Sequence, residues 1–151
     1  MEGLQEVIAI AGIIAGIITA FKGIQEYRRS ITFRRAEWLY SLYRDFYIQP
    51  YLKEIREEMD SEEGRRRIEQ IIQKEKLVEK EEELLSNFTD YLNFFEFMLH
   101  LRKTGALKEE DVKAMFDYYL KLFYKSKTII EYLSKTGYEY LAEHLKRYET
   151  S

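Results

Sequence analysis

The chain has no cysteine among its 151 residues and only one proline. Without cysteine there is no disulfide framework and no cysteine metal site. Glycine is scarce too. Four of the seven glycines, Gly3, Gly12, Gly16 and Gly23, lie at the N-terminus, which leaves the rest nearly free of helix breakers. Strand-like alternation of apolar and polar residues is missing, so the expected class is all-α. Charge of one sign is also missing. The formal net charge is only -3, and the bulk charge gives no case for nucleic acid as a partner.

Against this background one stretch stands apart. Val7 to Phe21 carries no charge, while the rest of the chain is dense in Glu, Lys and Arg. A helix that is apolar all round belongs in a core or in a lipid bilayer. Extended from Leu4 to Ile24, the run reaches the roughly 20 residues a bilayer requires, with Gln5, Glu6 and Lys22 near its ends. Lys22 can snorkel to the headgroups there. A signal peptide is not expected, because Met-Glu-Gly-Leu-Gln-Glu is acidic where a basic start is required. The expectation is therefore a transmembrane anchor over residues 1–24, followed by a helical cytosolic domain over 25–151 that packs as an antiparallel bundle. The alternative is a central core helix of a soluble bundle.

The flanks set the orientation. No Lys or Arg precedes the run, whereas Lys22, Arg28, Arg29, Arg34 and Arg35 follow it. The positive-inside rule then keeps the basic side in the cytoplasm and the N-terminus outside, as a single-pass protein of the cell membrane. The same five cations are candidate contacts for lipid headgroups.

The run is also sorted by size. At about 100° per residue, Ala9, Gly12, Gly16 and Ala20 share one side, with Ala15 and Thr19 beside them. Val7, Ile10, Ile13, Ile14, Ile17, Ile18 and Phe21 take the other side, and only Ile8 breaks the pattern. Gly12 and Gly16 form a GxxxG, the spacing that lets two membrane helices approach closely. Ala9, Gly12, Ala15, Gly16, Thr19 and Ala20 are therefore the expected helix-packing interface of a homo-oligomer.

Beyond the anchor, Trp38, Leu39, Leu42, Tyr43, Phe46 and Tyr47 recur at helical spacing up to Pro50, which suits the first turn of the next helix. The helix before it either runs unbroken from the membrane or restarts at Ser30 or Thr32. Asp60 to Gly64 is the best break in mid-chain. Arg65 to Glu83 is highly charged and reads as an exposed helix or a partly mobile segment. Leu84 to Leu101 is strongly apolar and should sit centrally, stopped by Gly105. Lys108 to Leu133 reads as one helix ended by Gly137, and a last short helix carries Leu141 and Leu145.

Candidate chemistry is sparse. Glu96 and His100 are spaced i,i+4, and His144 with Glu143 completes a conceivable ligand set. A Glu–His pair on a helix surface explains the first two as well, and no catalytic residue, cofactor or metal is expected. Asn93 and Glu96 interrupt a run of phenylalanines and, if buried, need a Tyr hydroxyl or an Arg as partner. Arg65-Arg66-Arg67 is followed by acids and should be ion-paired. Glu and Lys enrichment without cysteine is the pattern of heat-adapted proteins.

The order of features resembles an uncharacterised prokaryotic and phage family of short proteins with an N-terminal membrane helix and a helical cytosolic domain. The residues that carry it are Arg28-Arg29, the aromatic stretch Trp38 to Phe46, and Tyr91-Leu92-Asn93-Phe94-Phe95-Glu96-Phe97 followed by Gly105. The resemblance implies the architecture and no activity. The expected function is a non-enzymatic, membrane-anchored interaction or self-assembly module with an unidentified protein partner. A pore-forming or membrane-perturbing oligomer, as in prokaryotic defence, is the alternative.

Overall fold

A computed structural model describes the backbone of residues 2–149 and the side chains of residues 16–148. Every regular element among the described residues is helical. The chain divides into two compact units, Met1–Arg44 and Asp45–Ser151.

The first unit is built on helix α1, Glu2–Ile48, which enters the second unit with its last residues. It does not restart at Ser30 or Thr32. Thr32 Oγ1 instead donates back to the Arg28 carbonyl at 3.0 Å, the bond a threonine makes inside a helix. Among the described residues no helix is long and apolar enough to cross a membrane. The side chains of residues 7–15, most of the uncharged run, lie outside the described set.

Within the second unit, Pro50 marks the end of α1. A residue before proline is pushed out of the α region, and Gln49 has an extended ψ of 124°. Pro50 then opens α2, Pro50–Asp60, as expected. Ser61 separates α2 from α3, Glu62–Gln73, and its hydroxyl accepts from the Gly64 N–H at 2.9 Å. The charged segment thus resolves into a capped helix and a short loop. Arg66 pairs with Glu62, Arg67 pairs with Glu58 at 2.8 Å, and Arg65 Nη1 donates to the Met59 carbonyl at 2.6 Å. The arginine run is consumed locally.

Helix α4, Glu79–Lys103, is the hub. It packs against α2, α3, α5 and α7, and buries Phe88, Tyr91, Leu92, Phe95, Met98 and Leu99. Gly105 follows it at φ +79°, a left-handed conformation that closes the last turn. Helix α5 is Glu109–Tyr124. The single helix expected over Lys108 to Leu133 is two. Ser126 interrupts it and caps α6, Lys127–Thr136, by accepting from the Ile129 N–H at 3.2 Å. The same hydroxyl donates to Glu69 of α3. That second partner holds the break in place, and it comes from a helix remote in sequence. Gly137 at φ +85° ends α6, and α7 is Glu139–Lys146, followed by a 3-10 turn, Arg147–Glu149.

The core of this unit is aromatic. Phe46 is fully buried, its ring centroid 5.0–5.8 Å from those of Tyr91, Phe94, Phe95, Phe116 and Tyr119. Arg56 closes this end of the core. Its Nη1 donates to the Phe46 carbonyl at 2.9 Å, and its guanidinium lies over the Tyr47 ring at 4.4 Å. Phe97, in contrast, points outward and is 54% exposed.

Gly64 is the most closely approached of the described glycines. A Cβ placed there would lie 2.2 Å from the Glu58 carbonyl oxygen. Gly64→Ala must therefore part α2 from α3. In spite of the better helix propensity of alanine, it is expected to lower unfolding free energy by about 2 kcal/mol, as overpacking does. Chemical denaturation of the two proteins checks this, and an unchanged midpoint would show that the corner yields without cost.

Candidate functional site

Two regions qualify as sites, one in each unit. In the first unit, residues 16–34 are exposed on every side of α1. Ile17 and Phe21 are each 64% exposed, and Ile18, Ile24, Ile31 and Phe33 are open as well. Of the expected packing interface, Gly16, Thr19 and Ala20 are exposed, while the side chains of Ala9, Gly12 and Ala15 lie outside the described residues. Nothing lies within 4 Å of a Cβ placed on Gly16 or Gly23. Packing inside the described chain therefore gives no reason for glycine at either position. Lys22, Arg28, Arg29 and Arg34 are exposed and Arg35 is half-buried, so four of the five expected headgroup cations stand free in solvent-facing positions along the helix.

In the second unit, α4, α5 and α7 meet at a polar seam. The four residues suspected as metal ligands are dispersed along it. Glu96 does not reach a Tyr hydroxyl or an Arg. Its Oε1 and Oε2 accept from the backbone N–H groups of Tyr140 and Leu141, at 2.9 and 2.7 Å. The side chain thus caps α7 from a different helix, placing a carboxylate where the helix dipole favours it. Spacing along the sequence reveals the i,i+4 neighbour of Glu96 but not a partner forty residues on, so this role was illegible. Asn93 is exposed. His100 packs on the Tyr140 ring at 5.0 Å. Glu143 pairs with Lys103 at 3.2 Å. Among the described residues no group of three metal-ligating side chains comes together.

His144 is the exception, a histidine only 6% exposed. Arg102 Nη1 lies 3.0 Å from its Nδ1 and 2.7 Å from Glu109 Oε2. A guanidinium only donates, so Nδ1 accepts and the neutral imidazole carries its hydrogen on Nε2. Burial, and then the Arg102 cation, push this imidazole down to about 4. Beside it Tyr148 donates to Asp117 Oδ1 at 2.7 Å, and Lys121 holds Asp117 Oδ2 at 2.6 Å. Burial raises the Asp117 carboxyl, but the bonds from Lys121 and Tyr148 outweigh it and leave the group below its ordinary value. Glu109, Val112, Lys113, Asp117, Leu120, His144, Arg147 and Tyr148 enclose a pocket of about 270 Å³.

Residues 6–149 match the model of a domain of unknown function, DUF4760. The chain belongs to this family. No curated protein and no solved structure matches it. The DUF4760 match takes in both regions, the exposed helix and the polar seam.

The His144 environment predicts a pH dependence. The unfolded histidine titrates near 6.5 and the folded one near 4. Above 6.5 both states are neutral and the residue contributes nothing. As pH falls from 6.5 to 4 the unfolded chain takes up the proton and the folded chain refuses it, so stability drops. Arg102, Glu109, Arg147 and Asp117 all act on the ring, and solvent screening trims the effect to about 2 kcal/mol. Unfolding free energies at pH 7, 5.5 and 4 should show this loss, and His144→Gln should flatten it. An equal slope in both proteins would count against a neutral, buried imidazole.

Proposed function

We propose that this DUF4760 protein is a single-pass membrane protein, anchored by residues 4–24 with its N-terminus outside and its helical domain in the cytoplasm, that works as an interaction or self-assembly module. The observation that carries the reading is the exposure of Ile17, Ile18, Phe21 and Ile24 along one broad side of one helix. A large exposed apolar face in water is costly, and a lipid surround removes the cost. The exposed cations Lys22, Arg28, Arg29 and Arg34 follow directly, where anionic headgroups would meet them.

Two tests separate the parts of this reading. Full-length protein should remain with membranes through an alkaline wash and leave only with detergent. A chain begun at Arg28 should be recovered without detergent. Full-length protein that stays dispersed without detergent would defeat the anchor.

Self-association rests on the small face. Gly16→Ile and Gly12→Ile keep the segment apolar but push two facing helices apart, weakening the contact by about 1–2 kcal/mol. Ile17→Ala and Ile14→Ala, on the other side, should do much less. Cross-linking of all four variants in membranes is the measurement. Equal association across the set would move any oligomer contact to the helical domain.

A further inference from the structure

We propose that the helical domain holds one internal water molecule among the hydroxyls of Tyr47, Tyr91 and Tyr119, where the last turn of α1 meets α4 and α5. Three observations converge on this site. The rings of the three tyrosines all pack against the buried Phe46 ring, with centroids 5.2, 5.8 and 5.0 Å from it. Tyr91 is fully buried, and its hydroxyl has no hydrogen-bond partner among the described residues. The Tyr47 and Tyr119 hydroxyls lie 3.4 Å apart, beyond the about 2.5–3.0 Å of a good O–H···O bond.

A phenolic hydroxyl both donates and accepts. One that leaves bulk water and gains no partner is penalised, so native interiors keep few of them. Internal waters settle where several polar groups converge, and make about three hydrogen bonds each. The water proposed here accepts the Tyr91 hydrogen and donates to the Tyr47 and Tyr119 oxygens. It relieves the lone hydroxyl and the overlong pair together, and it ties α1, α4 and α5 at one point.

The surrounding charges select a neutral guest. Burial pushes the Tyr91 hydroxyl well above its ordinary pKa, so it keeps its hydrogen and must donate. Asp60 and Arg56 act on it in opposite directions. Both are engaged already. Arg56 Nη1 donates to the Phe46 carbonyl at 2.9 Å, with the guanidinium over the Tyr47 ring at 4.4 Å. Asp60 accepts from the Tyr118 hydroxyl. An anion would have to draw Arg56 from the carbonyl at the end of α1, and a cation would have to compete for Asp60. A water asks for neither.

The test uses the full chain in detergent. Tyr91→Phe deletes one oxygen and keeps the ring. It should raise the unfolding equilibrium constant about fivefold, the weight of one hydrogen bond. Tyr119→Phe should act in the same direction. The double variant should fall short of the product of the two single effects, because both substitutions strip partners from the same water. A high-resolution crystal structure of the full chain should show an ordered oxygen about 2.5–3.0 Å from Tyr91 Oη. A lower unfolding constant in Tyr91→Phe would mark a bare hydroxyl and overturn the proposal. Strictly multiplicative effects would do the same, as would a crystal structure in which Tyr91 bonds directly to a protein acceptor or faces no ordered oxygen. None of these measurements depends on whether residues 4–24 enter a bilayer.

Discussion

Phe46→Ala is expected to lower the unfolding free energy of the helical domain by about 3–5 kcal/mol, the cost of deleting a fully enclosed aromatic ring. Phe46 is entirely buried and touches rings from α4 and α5, among them Phe94, Phe95, Phe116 and Tyr119. Those contacts are edge-on or stacked, geometries that add to the area term. The cavity left behind has walls on several helices, so it cannot collapse without moving all of them. Phe46 lies near the end of α1 and is sealed in the core of the second unit. Thermal unfolding of wild type and Phe46→Ala checks the size of the effect, and Phe46→Leu should recover more than half of it. A loss under about 1 kcal/mol would mean that the core refills the space, contrary to its close packing.

Glu96→Ala should cost about 3 kcal/mol. Two charge-assisted bonds to the backbone N–H groups of Tyr140 and Leu141 disappear together, each in the range of about 1.5–3 kcal/mol. The helix they cap has only 8 residues and is far too short to persist alone. Its docking therefore depends on this carboxylate and on buried Leu141 and Leu145. Amide hydrogen exchange should register the loss first in α7 and only later in α4. Glu96→Gln keeps an oxygen acceptor but not the charge, and should fall between wild type and alanine. The His144 pocket shares α7, so the Nε2 signal of His144 should broaden in Glu96→Ala. An α7 that keeps its protection in Glu96→Ala would show that its apolar face suffices.

The legibility of this chain followed the range of the forces involved. Local rules were sufficient at Pro50, Gly105 and Gly137, where ring closure or a left-handed φ ends a helix regardless of what surrounds it. They were sufficient for α4 as well, because eight apolar residues from Leu84 to Leu99 recur on one broad face and must be covered. The same rules failed at Ser126. Nothing between Lys108 and Leu133 resembles a breaker, and the helix divides there because the Ser126 hydroxyl meets Glu69 of α3.

The uneven legibility of the site has the same origin. Composition and the scarcity of helix breakers were enough to determine an all-helical chain, since that depends only on periodicity and on the order of residue types. Tertiary structure alone decided what the polar residues of the helical domain do. Glu96 became a helix cap, His100 a ring contact and His144 a buried donor held by Arg102. Burial and the identity of a distant partner govern each of those roles, and neither is written in the spacing of residues along one helix.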